Sequence, residues 1–195
     1  AKNETVDELN CRAQIDLAKA GRVDLSSTAK LRTGVAGLGD LVLARKNNRM
    51  LRDAEGHFVK NGTRLKVTEI RADGAITARR TDTGAVIVLP AEYVSESVEL
   101  AYAVTAHRAQ GVTVETAHTV TGPGESRGLF YVAMTRGTRG NHCYVDVPDT
   151  GAQDSPDTWG IMRPVQPEEA MEVLQGVLRN ERAERTAHEV YADEH

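Results

Sequence analysis

Between Thr5 and Ala20 the apolar residues Val6, Leu9, Ile15 and Leu17 recur roughly as one face of a helix requires. Thr5 and Glu8 have the spacing of a capping box and Gly21 marks a stop, so one helix is predicted over this stretch. From Gly39 the pattern shortens to the β-rich runs Leu41–Ala44, Arg64–Ile70, Ile76–Arg80 and Ala85–Leu89. Asn47-Asn48, Asn61-Gly62, Asp73-Gly74 and Thr83-Gly84 separate them as turn-forming pairs. Each run is too short for a sandwich core alone, and the close recurrence of turns predicts a small five-stranded, SH3-like or OB-like barrel.

Beyond Pro90 the grammar becomes α/β. Val98–Val104 reads as a strand, Thr105–Gln110 as a polar helical turn, Ala117–Thr121 as a strand and Gly128–Thr135 as a helix. Asn141–Val147 reads as a last strand ending at Pro148, which cannot continue a central ladder. Strands alternating with helices imply a partly parallel sheet. Residues 149–167, rich in Pro, Gly, Asp and Ser, read as a loop or linker. From Glu168 a further helix is predicted on Met171, Leu174 and Leu178, within a tail (168–195) of eight acidic and three basic side chains. That tail is either a solvated acidic helix or a partner-binding one.

Composition narrows the class. With 195 residues the chain can hold one generous core or two small ones. Aromatics are only 4%, so Val, Leu, Ile and Ala must build that core. A net charge of -4 excludes a wholly basic nucleic-acid coat but leaves room for a local track. Lys30, Arg32, Arg45, Lys46, Arg49 and Arg52 form such a stripe, with Asp40 as the one acid between positions 30 and 52. Within it, Lys46-Asn47-Asn48-Arg49 offers charge and amide donors in a predicted turn, which suits phosphate contact without base specificity. An ordinary solvated face accounts for the same residues. Cys11 and Cys143 have no CxxC partner, which fits a reducing, cytoplasmic setting. No apolar run is long enough to span a bilayer and residues 1–10 lack a secretion signal, so no membrane insertion is expected.

Two segments concentrate chemistry. In Ala101–Val114 a strand delivers Thr105, His107, Arg108 and Gln110 together, and Gly111 permits close approach of backbone. A hydroxyl, exposed amides and a planar guanidinium could hold a phosphate, although plain strand capping accounts for them too. In Gly128–Gly137, Leu129, Val132 and Ala133 can face a core while Arg136 projects at the helix end, where the dipole favours a cation even without function. If that end faces a nucleotide, Arg136 could neutralise charge on a transferring phosphoryl group. Tyr131 reads as a half-buried aromatic rather than a base-stacking platform. No Gly-x-x-x-x-Gly-Lys-Ser/Thr cradle and no His-Glu-x-x-His occurs, and Gly34, Gly37 and Gly39 precede a strand instead of following one. A self-contained enzyme is thereby disfavoured.

The order of these segments resembles the C-terminal motor portion of superfamily 1 RecD-like DNA helicases, especially those fused to conjugative relaxases. Thr105-Ala-His107-Arg108-Ala-Gln110-Gly111 is similar to the family's motif V, and Tyr131-Val132-Ala133-Met134-Thr135-Arg136 to its motif VI. Gly39-Asp40-Leu41-Val42, the Asn47-Asn48-Arg49 turn and Val59-Lys60-Asn61-Gly62 look like the entry into its small SH3-like subdomain.

The resemblance implies an α/β fold: a RecA-like 2A domain from 1–33 and 98–147 with an SH3-like 2B barrel, 34–97, inserted. A linker over 148–167 and an acidic tail over 168–195 complete the expected division. It also implies single-stranded DNA contacts through Thr105, His107, Arg108, Lys46, Asn48 and Arg49. Coupling to a nucleotide cleft would run through Gln110 and Gly111, with Arg136 as an arginine finger on the γ-phosphate. The Walker lysine and the magnesium ligand belong to the partner 1A domain, which this sequence lacks. Hence the expectation is an excised or truncated motor, unable to hydrolyse ATP alone, with ATP and Mg2+ bound in the complete parent. A noncatalytic DNA-binding module and a protein-interaction module remain the alternatives.

Overall fold

The computed structural model describes residues 3–148 and 166–181. Of these, the residues up to Thr105 form one compact unit and those from Ala106 onward another.

The first unit opens with α1 (Asn3–Lys19). This helix starts before Thr5, so Thr5 and Glu8 lie inside its first turns instead of capping it. It stops as predicted: Gly21 takes a φ of +67°, with Gly21 N donating to Ala18 O and Arg22 N to Leu17 O. The buried stripe is Val6, Asn10 and Gln14, so of the apolar set that the spacing suggested only Val6 is fully buried, Leu9 and Leu17 are half-buried and Ile15 is 43% exposed. Two amides can face inward because both are hydrogen-bonded there.

Strands β1 (Asp24–Lys30) and β2 (Val35–Leu38), which the periodicity did not reveal, pair antiparallel across an irregularity between Asp24 and Thr28. Glycine is required at position 37, because a Cβ there would sit 2.3 Å from Asp24 O.

The centre of the unit is a five-stranded antiparallel sheet in the order β8-β7-β6-β3-β9. Its strands are β3 (Leu41–Ala44), β6 (Arg64–Ile70), β7 (Ile76–Arg80), β8 (Val86–Leu89) and β9 (Val98–Leu100). The first four lie within a residue of their predicted bounds. Period-2 alternation sends Leu65 and Val67, Ile76 and Ala78, and Ile87 and Leu89 into one core with Leu31, Val42, Val94 and Val98. Burial of these branched side chains offsets the shortage of aromatics, at about 25 cal/mol per Å² of apolar surface. α2 (Ala91–Ser97) contributes Tyr93 and Val94 to the core. A separate hairpin, β4 (Asn48–Arg52) with β5 (Phe58–Val59), lies between β3 and β6 in sequence.

Two expectations need correction. The sheet does not close into a barrel; β8 and β9 are its edges. The strand predicted over Val98–Val104 ends at Leu100, because the Tyr102 and Ala103 amides turn away to Asn10 Oδ1, each at 2.9 Å.

Asp40, fully buried between β2 and β3, joins these parts. Its Oδ2 accepts from Gln14 Nε2 (2.5 Å) and Gly37 N (2.7 Å), and its Oδ1 from the Tyr102 hydroxyl (2.5 Å). Burial, and then the bond to Asp40, push the Tyr102 phenol well above its usual range.

The second unit is a strand–helix–strand crossover. β10 (Val114–Thr121) and β11 (Gly137–Val145) pair in parallel, with α3 (Arg127–Met134) between them in sequence. This establishes the mixed α/β character and the partly parallel pairing. Ser126 caps α3, its Oγ accepting from Leu129 N at 3.3 Å. α4 (Pro167–Arg179) begins at a capping box of Gln166 and Glu169. It ends against α3's entry, where Asn180 O accepts from Arg127 N at 2.9 Å. Val177 is its buried residue, whereas Met171 and Leu178, two of the three residues that predicted the helix, are 55% and 49% exposed. Most of the predicted linker, and the end of the acidic tail, lie outside the described residues.

Replacing Asp40 by Ala strands the Tyr102 hydroxyl, the Gln14 amide and the Gly37 N–H in the interior. A loss of about 3 kcal/mol is expected in urea unfolding of the first unit. The pH dependence has a fixed sign. Since the fold favours the neutral Tyr102 phenol, the stabilisation is complete below about pH 10, the unfolded value. It is lost as pH rises from there toward the folded value. Burial gives Tyr93 the same direction. The urea midpoint should hold to about pH 9 and decline above about pH 10, with a shallower decline in Tyr102→Phe.

Candidate functional site

The polar segment after β9 is a series of tight turns. Ala109 N donates to Ala106 O, Gln110 N to His107 O and Val112 N to Ala109 O. His107 and Gln110 are exposed, while Arg108 is half-buried. Gly111 adopts a φ of +80° with open space where a Cβ would be. Its role here is therefore the left-handed turn, and not the close backbone approach expected from sequence.

Arg136 follows directly on α3 and folds back across its C-terminal end. Nε donates to Val132 O at 2.7 Å and the guanidinium NH2 to Thr135 Oγ1 at 2.9 Å. The Thr135 hydroxyl itself bonds the Tyr131 and Val132 carbonyls. The remaining nitrogen, NH1, reaches Val112 O at 3.4 Å, and Val114 N donates to Arg136 O at 3.0 Å. The two chemistry-bearing segments thus meet where β10 and β11 begin. The cation also satisfies carbonyls at a helix end, where the dipole favours it.

Thr105 is the last residue of the first unit. Lys46, Asn48 and Arg49 belong to that unit as well, while His107, Arg108, Gln110, Gly111 and Arg136 belong to the second. The predicted turn at 46–49 is only a bend at Lys46, because Asn48 and Arg49 already lie in β4. Asn48 Oδ1 accepts from Met50 N and Leu51 N, so its oxygen organises local backbone.

The basic stripe divides electrostatically. Arg32 and Arg45 converge on Glu99, at 2.5 and 3.5 Å, and Arg52 donates to Gly56 O. Lys46 and Arg49 are exposed and make no ion pair among the described residues. Beside them Met50 is 88% exposed, and Lys60 Nζ lies over the Phe58 ring, 5.3 Å from its centroid.

Sequence reasoning left one cluster unassigned. His118 and His142 are register partners on β10 and β11, with rings stacked at 4.9 Å. Tyr144, two residues beyond His142, stacks on His118 at 5.8 Å, and its hydroxyl lies 2.9 Å from His118 Nδ1. All three are exposed. The period of two between His142 and Tyr144 was visible in the sequence; the parallel register that brings His118 opposite was not.

Among the described residues, no group of three or more His, Cys, Asp and Glu is placed to hold a metal ion. No described helix is long and apolar enough to cross a membrane. Both Cys11 and Cys143 are free thiols, and burial pushes the Cys143 thiol up. A cleft of about 310 Å³ along α1, lined by Asp7, Asn10, Cys11, Gln14, Thr33 and Gly34 among others, includes none of the residues singled out for phosphate or DNA.

No family model matches the chain. It is similar to an uncharacterized protein of Mycobacterium tuberculosis strain CDC 1551 / Oshkosh, with 36% identity over 88 residues. An uncharacterized protein of strain ATCC 25618 / H37Rv matches at the same identity and length. Each match covers 45% of this chain and 51% of the relative, so the chain spans about half the length of the curated relatives it matches.

Because the space around Gly111 is open, Gly111→Ala isolates the backbone term. It should cost about 1 kcal/mol in the second unit, read as a lowered urea midpoint, and Gly111→Asn should cost less.

Proposed function

We propose that this chain is the DNA- and phosphate-facing portion of an ATP-dependent single-stranded-DNA translocase of the RecD-like kind, of the type joined to conjugative relaxases. The observation that supports this most is the meeting of the 106–112 turns with Arg136, two segments that resemble motifs V and VI in the expected order. On this reading 1–33 and 98–147 contribute to a RecA-like 2A domain, and 34–97 is the SH3-like 2B subdomain.

Thr105, His107 and Arg108 would contact single-stranded DNA, and Lys46, Asn48 and Arg49 would contact its phosphates. Lys46 and Arg49, exposed and without an ion pair among the described residues, are the cheapest to commit to a phosphate, because no ionic partner must be displaced. Gln110 and Gly111 would join this track to the nucleotide cleft. Arg136 supplies a planar fork suited to a phosphate oxygen.

ATP and Mg2+ belong to the complete parent. This chain offers a guanidinium for them but no Gly-Lys cradle, and its described residues hold no acidic ligand cluster. When bound there, ATP supplies the phosphoryl transfer that drives movement. The chain's own residues orient the phosphate and track the strand. A second reading, a noncatalytic DNA-binding module, is favoured by that same missing cradle; it retains the basic surface and assigns Arg136 to helix capping.

Fluorescence anisotropy with labelled single-stranded and duplex oligonucleotides is expected to show a salt-dependent preference for the single strand. Lys46→Ala and Arg49→Ala should each weaken binding and reduce the salt slope by about 0.7. Equal, salt-insensitive binding of both forms would overturn the DNA assignment. In a complete parent, Arg136→Ala should lower DNA-stimulated ATP turnover by about 10³-fold. Full turnover in that variant would remove the arginine-finger role and leave the noncatalytic reading.

A further inference from the structure

Each guanidinium nitrogen of Arg136 donates a hydrogen bond in this structure. Its Nε and NH2 groups hold it to the end of α3, and NH1 extends to the Val112 carbonyl, just past the last turn of the 106–112 segment. Val114 N donates to the Arg136 carbonyl, so the same residue also sets where β10 begins. Between Gly111 and Val114 the chain is in neither helix nor strand. A left-handed residue at one end and a guanidinium at the other therefore define the path of this segment.

We infer that Arg136 is a positioning residue for the 106–112 turns, fixing the presentation of His107, Arg108 and Gln110 by bridging α3 to the Val112 carbonyl. The inference concerns how the proposed DNA-contacting surface is held, and its DNA arm rests on that functional reading. The bridge itself does not.

Val132 O, Thr135 Oγ1 and Val112 O are met by three different nitrogens of one planar group; a lysine ammonium carries all its N–H donors on a single nitrogen and cannot place them at three separate points. Lysine at this position keeps the charge and loses the bridge. Thr135 supports the fork from below, since its hydroxyl is anchored on the Tyr131 and Val132 carbonyls while accepting from Arg136. The Val112 bond, at 3.4 Å, is the longest of the set and the first to yield when the fork is disturbed.

The experiment compares the full chain with Arg136→Lys, Arg136→Gln and Thr135→Val by amide hydrogen exchange, then by anisotropy with a labelled single-stranded oligonucleotide over a salt series. The expected result is faster exchange at 106–112 in both Arg136 variants, about tenfold, with a smaller effect in Thr135→Val and unchanged exchange in the middle of β10 and β11. Unchanged exchange at 106–112 in Arg136→Lys would overturn the inference. So would an equal rise throughout β10 and β11, since that reports global stability and not a local bridge.

In the DNA arm, Arg136→Lys and Arg136→Gln should lose affinity alike, about fivefold, with the salt slope unchanged. If Arg136→Gln alone loses affinity, and its slope falls by about 0.7, Arg136 touches a phosphate directly and the positioning role is wrong. Should the unaltered chain bind no single strand while the exchange pattern appears as expected, the bridge stands and the proposed function falls.

Discussion

The first unit depends on one buried carboxylate. Asp40 is reached by a helix amide, a sheet amide and a phenol from segments that are far apart in the chain. A charge taken out of water is costly unless its lone pairs are met, and here hydrogen-bond donors meet both oxygens. Two of the three donor groups also have a second task. Gln14 Nε2 additionally bonds Val35 O, and the Tyr102 hydroxyl accepts from Leu41 N at 3.3 Å. Asn10, one turn of α1 before Gln14, clamps the Tyr102 and Ala103 backbone. The carboxylate thus fixes the helix, the β1–β2 hairpin and the chain leaving β9 in one step, which dispersed apolar contacts specify less sharply.

This explains which parts of the fold were legible in the sequence. The runs ending in β6, β7 and β8 carried period-2 alternation and turn pairs, and they emerged nearly as read. α1 was legible as a helix, yet its buried face was not, because that face holds Asn10 and Gln14, which hydropathy scores as outward. Strands β1 and β2 were missed for a related reason. Gly37 is dictated by the nearness of Asp24 O, a tertiary contact that leaves no local pattern. The expected barrel is an open sheet with β8 and β9 at its edges, and the predicted 98–104 strand stops early because Asn10 draws the backbone at Tyr102 away from the ladder.

The candidate site was legible in its residues more than in their bonding. Sequence located the 105–111 segment and Arg136, and the turns and the helix lie where the spacing placed them. It could not show that Arg136 would bond Val112, since a pairing across 24 positions in a loop has no period. The basic stripe was overcounted for the same reason: Glu99 lies 67 residues from Arg32 and engages both Arg32 and Arg45. Exposed Lys46 and Arg49 are what remains of it. For α4, amphipathicity gave the helix but selected a neighbouring face, because Val177, and not Leu178, is the residue that its contacts with α3 and β11 bury.

The placement of Arg136 constrains any motor built on this unit. A guanidinium carries five N–H donors, and in this structure one on NH1 points to Val112 O while one on Nε and one on NH2 hold the helix end. In the proposed motor, a phosphate oxygen that displaced the Val112 carbonyl from NH1 would act on the chain emerging from the 106–112 turns. Two ligands that bias one shared element are linked, and the linkage is reciprocal: under the proposed function, whatever factor a nucleotide imposed on the strand's affinity, the strand would impose on the nucleotide's. The weakest bond in the set lies on the side facing the turns, so the exchange can occur without unravelling α3, whose own contacts to Arg136 are shorter. Coupling of this kind needs no long path through the protein. It needs a single side chain with two alternative acceptors, and a glycine at 111 that leaves the turn in an open, sterically unencumbered conformation.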